Sequence, residues 1–151
     1  MYDVLAPGYD ELYREEQEKK LALIAHVIKG NVLDIGAGTG IVARHFPNVV
    51  SLDPSPEMLA YAPGEKIVGS AEAIPFPSGR FDTIVSLTAL HHCNIDKVIT
   101  ELQRLQPKNM AFTILKKSQK CQEIVEKLQM AFGMDIIDEE KDLLVIKETK
   151  D

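Results

Sequence analysis

A short apolar run followed at once by alternating glycines marks the segment 31–40. The run 31–35 has the length and the Val, Leu and Ile content of a buried parallel strand. Gly36, Gly38 and Gly40 follow it, and glycine has no Cβ to prevent a sharp turn or a close approach to a bound molecule. The segment therefore predicts a strand that ends in a ligand-binding glycine turn.

An acid closes the next apolar run, 48–53. At the end of a strand beside the glycine turn, the Asp53 carboxylate can accept hydrogen bonds from two ribose hydroxyls. The alternative is that Asp53 caps the helix that begins near Pro54. The glycine spacing is Gly-x-Gly-x-Gly, whereas the motif that cradles a dinucleotide pyrophosphate is Gly-x-Gly-x-x-Gly. A cofactor without phosphates, S-adenosylmethionine, is therefore favoured over a nicotinamide dinucleotide.

The composition excludes several classes of protein. With 151 residues and 45% hydrophobic content, the chain predicts one globular domain over 1–151. The formal charge of -6 argues against broad binding to a nucleic acid backbone, and Cys93 and Cys121 form no Cys-x-x-Cys pair. The N-terminus carries acids where a signal peptide needs apolar residues, and no apolar run could span a bilayer. We expect a cytoplasmic protein without membrane contact.

Strand-like and helix-like segments alternate along the chain. The helix candidate 95–105 is the clearest, because its apolar residues share one face, Asn94 can cap its start and Pro107 follows its end. The buried strand candidates are 31–35, 48–53, 66–69, 82–87 and 110–115, and the helix candidates are 10–29, 40–46, 56–62, 95–105 and 118–131, the last with Ser118 as its cap. This alternation predicts an α/β fold with a doubly wound, Rossmann-like sheet and right-handed crossovers.

The end of the chain has a different pattern. Two apolar runs, 134–137 and 143–146, are joined by the five polar residues 138–142. Five residues fit a hairpin connection and cannot hold a crossover helix. The sequence therefore predicts seven strands, mostly parallel, with an antiparallel hairpin at the C-terminus.

Five motifs together resemble the class I S-adenosylmethionine-dependent methyltransferases, in the type 11 branch that contains the ubiquinone and menaquinone C-methyltransferases. The motifs are 33–40, Asp53, 69–76, 81–82 and 87–92, and the segment 2–10 resembles the entry segment of that branch. The resemblance covers nearly the whole chain. It implies that S-adenosylmethionine is the cofactor and that Tyr9 lies against it, although Tyr9 could also pack as an ordinary aromatic residue.

The resemblance also implies which residues bind the cofactor. Asp34 is an acid inside an apolar strand, where an unpaired carboxylate is costly. In the family this acid faces the cofactor amino group, and the alternative is that it ties down the glycine turn. The predicted cofactor-binding residues are Tyr9, Asp34, Gly36, Ala37, Gly38, Gly40, Asp53, Pro54, Met58, Ser70, Ala71, Glu72 and Leu87.

Alternatives remain open at the adenine end of this set. The branch commonly has an acid for the adenine amino group where this chain has Ser70, so recognition passes to the Ser70 hydroxyl, the Ala71 backbone or water. Met58 either belongs to the core or touches the adenine edge. Glu72 is a site residue, a helix cap or a solvated charge.

Two histidines follow the fourth predicted strand, at the edge where open α/β sheets place their ligands. With an ordinary pKa near 6.5, His91 could deprotonate a nucleophile. The alternative is that either His91 or His92 caps the next helix and the other is exposed. Cys93 does not give this pair metal-ligand spacing, so no metal is predicted.

These features predict the transfer of a methyl group from S-adenosylmethionine to an unidentified acceptor, which is RNA, a protein or a small molecule. The chain is nearly the bare cofactor-binding fold, so an open cleft takes a large substrate or a second subunit completes the site. That subunit is a small activator or another copy of the chain, and nucleic acid enters only as a candidate substrate. The alternative from another class is a non-catalytic S-adenosylmethionine-binding subunit of a complex.

Overall fold

The computed structural model describes the backbone of residues 7–149 and the side chains of 11–149. A seven-stranded sheet forms its centre, with strand order β3-β2-β1-β4-β5-β7-β6. The strands are β1 (Val32–Ile35), β2 (Val49–Asp53), β3 (Glu65–Val68), β4 (Thr83–Leu87), β5 (Asn109–Leu115), β6 (Asp135–Asp138) and β7 (Asp142–Lys147), and the helices are α1 (Pro7–Ile24), α2 (Ile41–His45), α3 (Pro56–Leu59), α4 (Ile95–Leu105) and α5 (Cys121–Phe132).

The sheet confirms the predicted fold class. Strands β1 to β5 pair in parallel, whereas β7 runs antiparallel between β5 and β6. The strand order reverses between β1 and β4, since β2 and β3 extend to one side of this pair and β5 to the other. Open α/β sheets bind ligands outside the carboxyl ends of the strands at such a reversal. The ends of β1, β2 and β4 therefore frame the candidate site.

Two apolar clusters hold the helices against the sheet. On one face, α4 and α5 pack over strand residues such as Phe112, which is fully buried. On the other face, α1 packs through Leu21 and Ile24 against Val85 and Ala111. These clusters fix the positions of α1 and α4 relative to the carboxyl edge of the sheet, where the candidate site lies.

The two longest predicted amphipathic helices after the glycine turn differ in how well their starts were predicted. Asn94 caps α4 as expected, since its side-chain oxygen accepts a hydrogen bond from the Lys97 N–H at 3.2 Å. The prediction for α5 was wrong by three residues at its start. The Ser118 hydroxyl accepts a hydrogen bond from the Lys120 N–H within the preceding turn, and the helix begins only at Cys121.

The first helix also departs from its predicted range. It begins at Pro7, earlier than expected, and ends at Ile24, where the 3₁₀ turn Ala25–Val27 replaces the last predicted turn. Tyr9 therefore lies inside α1 and not before it, and its side chain is outside the described part of the chain. Among residues 7–149, no helix combines the length and the apolar character needed to cross a membrane.

The prediction that the third strand is buried was also wrong. Strand β3 is exposed at three of its four positions, and Val68 keeps 55% of its surface. The physical reason is its place at the edge of the sheet, where only β2 is its neighbour. Apolar composition alone does not reveal whether a strand is central or at an edge.

Candidate functional site

The glycine turn joins β1 to α2 at the carboxyl edge of the sheet. Gly36, Gly38 and Gly40 have φ values of 69°, 57° and 82°, in the left-handed region that favours glycine. The N–H groups of Gly36 and Ala37 donate to the Leu52 carbonyl at 2.8 and 3.0 Å. The turn is therefore fixed to the end of β2, and the predicted strand and glycine turn are confirmed.

Asp53 holds the same turn from the neighbouring strand. Its Oδ2 accepts a hydrogen bond from the Gly38 N–H at 2.9 Å, and its Oδ1 accepts one from the Ser55 N–H at 2.9 Å. Ser55, not Asp53, caps α3, since its hydroxyl accepts from the Met58 N–H at 3.2 Å. Each oxygen of the Asp53 carboxylate keeps a further lone pair that could accept a hydrogen bond from a ligand.

Asp34 is buried in β1 with an incompletely satisfied carboxylate. It is 1% exposed, and its Oδ2 has no hydrogen-bond partner among the described residues. Burial raises the pKa of this carboxyl well above its ordinary value, and the negative charge of Asp53 raises it further. The first N–H groups of the glycine turn donate to Leu52 and Asp53, so the alternative in which Asp34 ties down that turn is not supported.

These two carboxylates allow a test of whether the site suits the predicted cofactor. S-adenosylmethionine carries an ammonium group and two ribose hydroxyls. Asp34 Oδ2, which has no hydrogen-bond partner among residues 11–149, offers a buried acceptor for the ammonium group, and a buried acceptor without a partner is costly. The free lone pairs of Asp53 can accept from the hydroxyls. The residues present therefore fit S-adenosylmethionine.

A pocket beside the glycine turn is bounded on one side by α1. Gln17 of this helix is buried, with 9% of its surface exposed. The pocket is lined by Tyr13, Arg14, Gln17, Ala37, Thr39 and Ile41. The sequence prediction missed the three α1 residues because the charged residues around them resemble a solvated helix face. Tyr13, Gln17 and Lys20 are spaced so that they share one face of the helix. This spacing could have indicated that the face packs against the rest of the protein.

The predicted adenine-binding residues lie after β2, in the loop and in helix α3, and in the loop after β3. The Ser70 hydroxyl donates to Glu72 Oε1 at 2.8 Å, and Glu72 Oε2 accepts from the Asn94 N–H at 2.7 Å. The hydrogen bond from Asn94 and then that from Ser70 lower the pKa of Glu72, which ties this loop to the start of α4. Met58 is half-buried and Pro54 is exposed, so Met58 is not a core residue.

The loop after β4 touches the glycine turn. A Cβ added at Gly36 would lie 2.4 Å from Ala89 Cβ, so this approach requires glycine. Leu87 and Ala71 are 7% and 6% exposed and belong to the apolar clusters on the two faces of the sheet. Contact between the two loops brings the residues after β4 to the edge that carries Asp34 and Asp53.

His91 and His92 occupy the 3₁₀ turn Leu90–His92 in this loop, with ring centroids 3.9 Å apart. Partial burial lowers the pKa of His91, and the neighbouring charges of His92, Lys120 and Lys20 lower it further. Neither histidine caps α4, because Asn94 does so. A neutral imidazole at this edge can accept a proton near neutral pH.

Comparisons with known proteins agree with the architecture. A family model for the methyltransferase domain matches residues 33–112, just over half of the chain. An uncharacterized protein of Methanocaldococcus jannaschii is 37% identical over 113 residues, which cover 69% of this chain and 45% of that protein. The chain spans about half the length of the curated relatives it matches.

Two solved structures share the fold at low sequence identity. An S-adenosylmethionine-dependent methyltransferase from Thermotoga maritima superposes with a TM-score of 0.71 at 16% identity, over 93% of each chain. A structure of the Haloferax volcanii Trm112 methyltransferase activator in complex with a methyltransferase candidate matches with a TM-score of 0.67 at 19% identity, over 89% of this chain and 76% of that chain.

The matched family region begins in β1 and ends in β5. It contains the glycine turn, Asp53 and the loop after β4, which are the elements that the structure brings together. The predicted family and the predicted cofactor, S-adenosylmethionine, are both confirmed. The chain belongs to the type 11 methyltransferase domain family of S-adenosylmethionine-dependent methyltransferases.

Proposed function

We propose that this chain transfers the methyl group of S-adenosylmethionine to an acceptor bound at the carboxyl edge of β4. The sulfonium of the cofactor supplies a methyl group that is already electrophilic. The protein therefore has mainly to hold the reactants in line and to keep water away, and orientation of this kind supplies about 7 to 11 kcal/mol of a barrier. No covalent intermediate with the protein is required.

The buried Asp34 carboxylate is the observation that carries this proposal. An acid with 1% exposure and an oxygen that has no hydrogen-bond partner within residues 11–149 destabilises the protein unless a ligand pairs with it. We assign Asp34 to the cofactor ammonium group, Asp53 to the ribose hydroxyls and the glycine turn to close backbone contact. The α1 residues Tyr13 and Gln17 close the pocket beside that turn.

The residues that contact the adenine ring are assigned from the hydrogen bonds that the predicted residues already make. The Ser70 hydroxyl donates to Glu72 Oε1 and accepts from the Glu72 N–H, so only one of its lone pairs remains for an adenine amino group. We therefore place the adenine beside the half-buried Met58 and the backbone of Ala71, with Pro54 and Leu87 bounding the pocket. Glu72 acts in this proposal by holding the loop, and Tyr9 remains a predicted contact.

His91 is the proposed base. Its lowered pKa leaves the imidazole neutral at physiological pH, so it can take a proton from a protic acceptor as the methyl group arrives. Its position in the loop that touches Gly36 supports its assignment to the acceptor side of the cofactor site. His92 is more exposed and is not assigned a role.

Cofactor binding and methyl transfer are tested in sequence. Calorimetry should show that the purified chain binds S-adenosylhomocysteine and does not bind NAD. Fractions of cells from its source are then screened for acceptance of a radiolabelled methyl group from S-adenosylmethionine. Saturable binding with transfer supports the proposal, whereas binding without transfer to any fraction, with cellular partners present, favours the non-catalytic subunit.

A partner subunit is the second part of the proposal. The chain shares its fold with a protein solved in complex with the Trm112 activator, and residues 7–149 contain no long insertion that could cover the acceptor. We propose that a small activator subunit, or a second copy of this chain, covers the acceptor side. Copurification followed by mass spectrometry checks this, and full activity of the isolated monomer would contradict it.

A further inference from the structure

Lys20 of α1 is buried and hydrogen-bonded to the loop that follows β4. It is 8% exposed, and its ammonium group donates to Thr88 Oγ1 at 2.7 Å. The same group lies 3.8 Å from Asp142 Oδ1, so the two buried side chains form an ion pair without a hydrogen bond to that oxygen. A buried ion pair is weak evidence for stability, because the loss of hydration offsets the attraction between the charges. The charge of Lys20 is thus balanced by Asp142, and its directional contact is the one with Thr88.

Thr88 has a backbone conformation that its surroundings must hold. It directly follows β4 and has a φ of 54°, a left-handed conformation that is unusual for a β-branched residue. Residues in such conformations persist only where neighbouring groups fix them, and they cluster at functional sites. The Thr88 N–H donates to the Thr113 carbonyl at 3.0 Å, and the two threonine hydroxyls are 3.0 Å apart. Lys20 and Thr113 therefore hold the first residue of the loop from two sides.

Thr88 sets the direction in which the loop leaves the sheet. The next residue is Ala89, whose Cβ would lie 2.4 Å from a Cβ added at Gly36. The Ala89 carbonyl accepts a hydrogen bond from the His92 N–H at 3.1 Å, which closes the 3₁₀ turn that contains His91. A change of φ at Thr88 would therefore move Ala89 away from the glycine turn and shift His91 with it.

The same face of α1 also borders the pocket beside the glycine turn. Gln17 lies three positions before Lys20, is buried and lines this pocket together with Ala37. Residues three positions apart lie on the same face of a helix. One helix therefore contacts the cofactor pocket through Gln17 and the loop after β4 through Lys20.

We propose that Lys20 is a positioning residue for methyl transfer, because its hydrogen bond to Thr88 holds the loop after β4 in the conformation that places His91 beside the cofactor site. This inference rests on the proposed function, in which His91 is the base. Lys20 acts in this role without touching either reactant. A misplacement of about 1 Å can lower the rate of an enzyme about a hundredfold, so the support of this loop matters for the rate.

Variants at the two ends of the hydrogen bond test the proposal without a known acceptor. Thr88→Val removes the hydroxyl and keeps the branched shape, whereas Thr88→Ser keeps the hydroxyl. Hydrogen exchange of the Thr88 and His92 amides, measured by NMR, reports how often the loop opens. Thr88→Val and Lys20→Met should each raise these exchange rates about tenfold or more, because each removes a hydrogen bond that involves a charged group. Thr88→Ser should stay close to the wild type.

A destabilised control separates positioning from stability. Ile24→Val shortens a fully buried side chain one turn farther along α1, in the apolar cluster and away from the hydrogen bonds that hold Thr88. It should lower stability to denaturant, while exchange at Thr88 and His92 rises no more than exchange in the centre of β4. Lys141→Met removes an exposed contact with Glu16 of α1 and should change neither property.

Transfer assays complete the test with any fraction or compound that accepts the methyl group. Thr88→Val and Lys20→Met should lower kcat about tenfold or more, because the base is misplaced, and should leave the affinity for S-adenosylhomocysteine unchanged. Ile24→Val should keep the kcat of the wild type. This contrast would not arise if Lys20 served stability alone.

Two results would overturn the proposal. They are exchange at Thr88 and His92 that rises no more in Thr88→Val than in Ile24→Val, and a Thr88→Val variant with the kcat of the wild type. If Lys20→Met does not fold, the two Thr88 variants decide the question. Calorimetry with S-adenosylhomocysteine comes first and separates the two proposals. Without cofactor binding the proposed function fails, whereas the exchange comparison still decides whether Lys20 holds the loop.

Discussion

The carboxyl ends of β1 and β2 present acids, whereas the ends of β4 and β5 present hydroxyls, histidines and lysines. In the first region, Asp53 lies 15 positions from Gly38, to which it is hydrogen-bonded. In the second, Lys20 lies 68 positions from Thr88. The first region is thus built from neighbouring parts of the chain and the second from distant ones.

This difference suggests separate tasks for the two regions. The acidic region suits a cationic cofactor bearing hydroxyl groups. Asp34, the glycine turn and Asp53 all lie within residues 33–112, which the family model matches. The region after β4 suits an acceptor, which varies between enzymes that share a fold. If the division is correct, substitutions in one region should change cofactor affinity and those in the other should change the rate of transfer.

The largest expected effect is on the transfer rate, from His91→Ala. Removal of the proposed base should lower kcat about a hundredfold or more, because general base catalysis contributes this much, while affinity for S-adenosylhomocysteine stays unchanged. Rates are measured with any fraction or compound that accepts the methyl group. His45→Ala, at an exposed position on α2, is the matched control. Full activity of His91→Ala would remove this residue from the mechanism.

Asp53→Ala should mainly affect cofactor binding. It removes the acceptor for the ribose hydroxyls and for the Gly38 N–H, so affinity for S-adenosylhomocysteine should fall by about 1 to 3 kcal/mol. Calorimetry measures the change, with Asp135→Ala on the exposed strand β6 as a control. Unchanged affinity would show that the acidic region is not the ribose site.

The contact between the two regions can be tested through a pair of glycines. Gly36→Ala brings a methyl group against Ala89, whereas Gly79→Ala meets nothing within 4 Å, and both residues have positive φ. Denaturant unfolding should show that Gly36→Ala costs about 1 to 3 kcal/mol more than Gly79→Ala, because only Gly36→Ala overpacks a contact. Equal losses would mean that the loops do not touch.

The smallest expected effect concerns the pH dependence of stability. Burial raises the pKa of Asp34 in the folded chain, so its contribution to stability is fully present below about pH 3.9 and is lost as the pH rises through the folded-state pKa. Asp34→Asn should therefore gain stability relative to the wild type as the pH increases from 4 to 7, measured by urea unfolding. The same variant should bind S-adenosylhomocysteine more weakly. Parallel stability curves for the two proteins would contradict the assignment.

Much of the first region could be predicted from the sequence, because its signals are local. The glycine alternation and the acid at the end of β2 each depend on residues close together in the chain, and the same is true of the cap at Asn94 outside this region. The strand order that exposes β3 and the end of α1 at Ile24 depend on packing, which a single sequence does not display. Lys20 was missed for the same reason, since its partners Thr88 and Asp142 are remote in sequence.

A crystal structure of the chain with S-adenosylhomocysteine tests the central assignment most directly. We expect the ribose hydroxyls to donate to the Asp53 carboxylate and the cofactor ammonium group to lie beside Asp34 Oδ2. We also expect an open space between the bound sulfur and the loop that carries His91. A ligand bound elsewhere, or aspartates that point away from it, would contradict the division of the site into a cofactor region and an acceptor region.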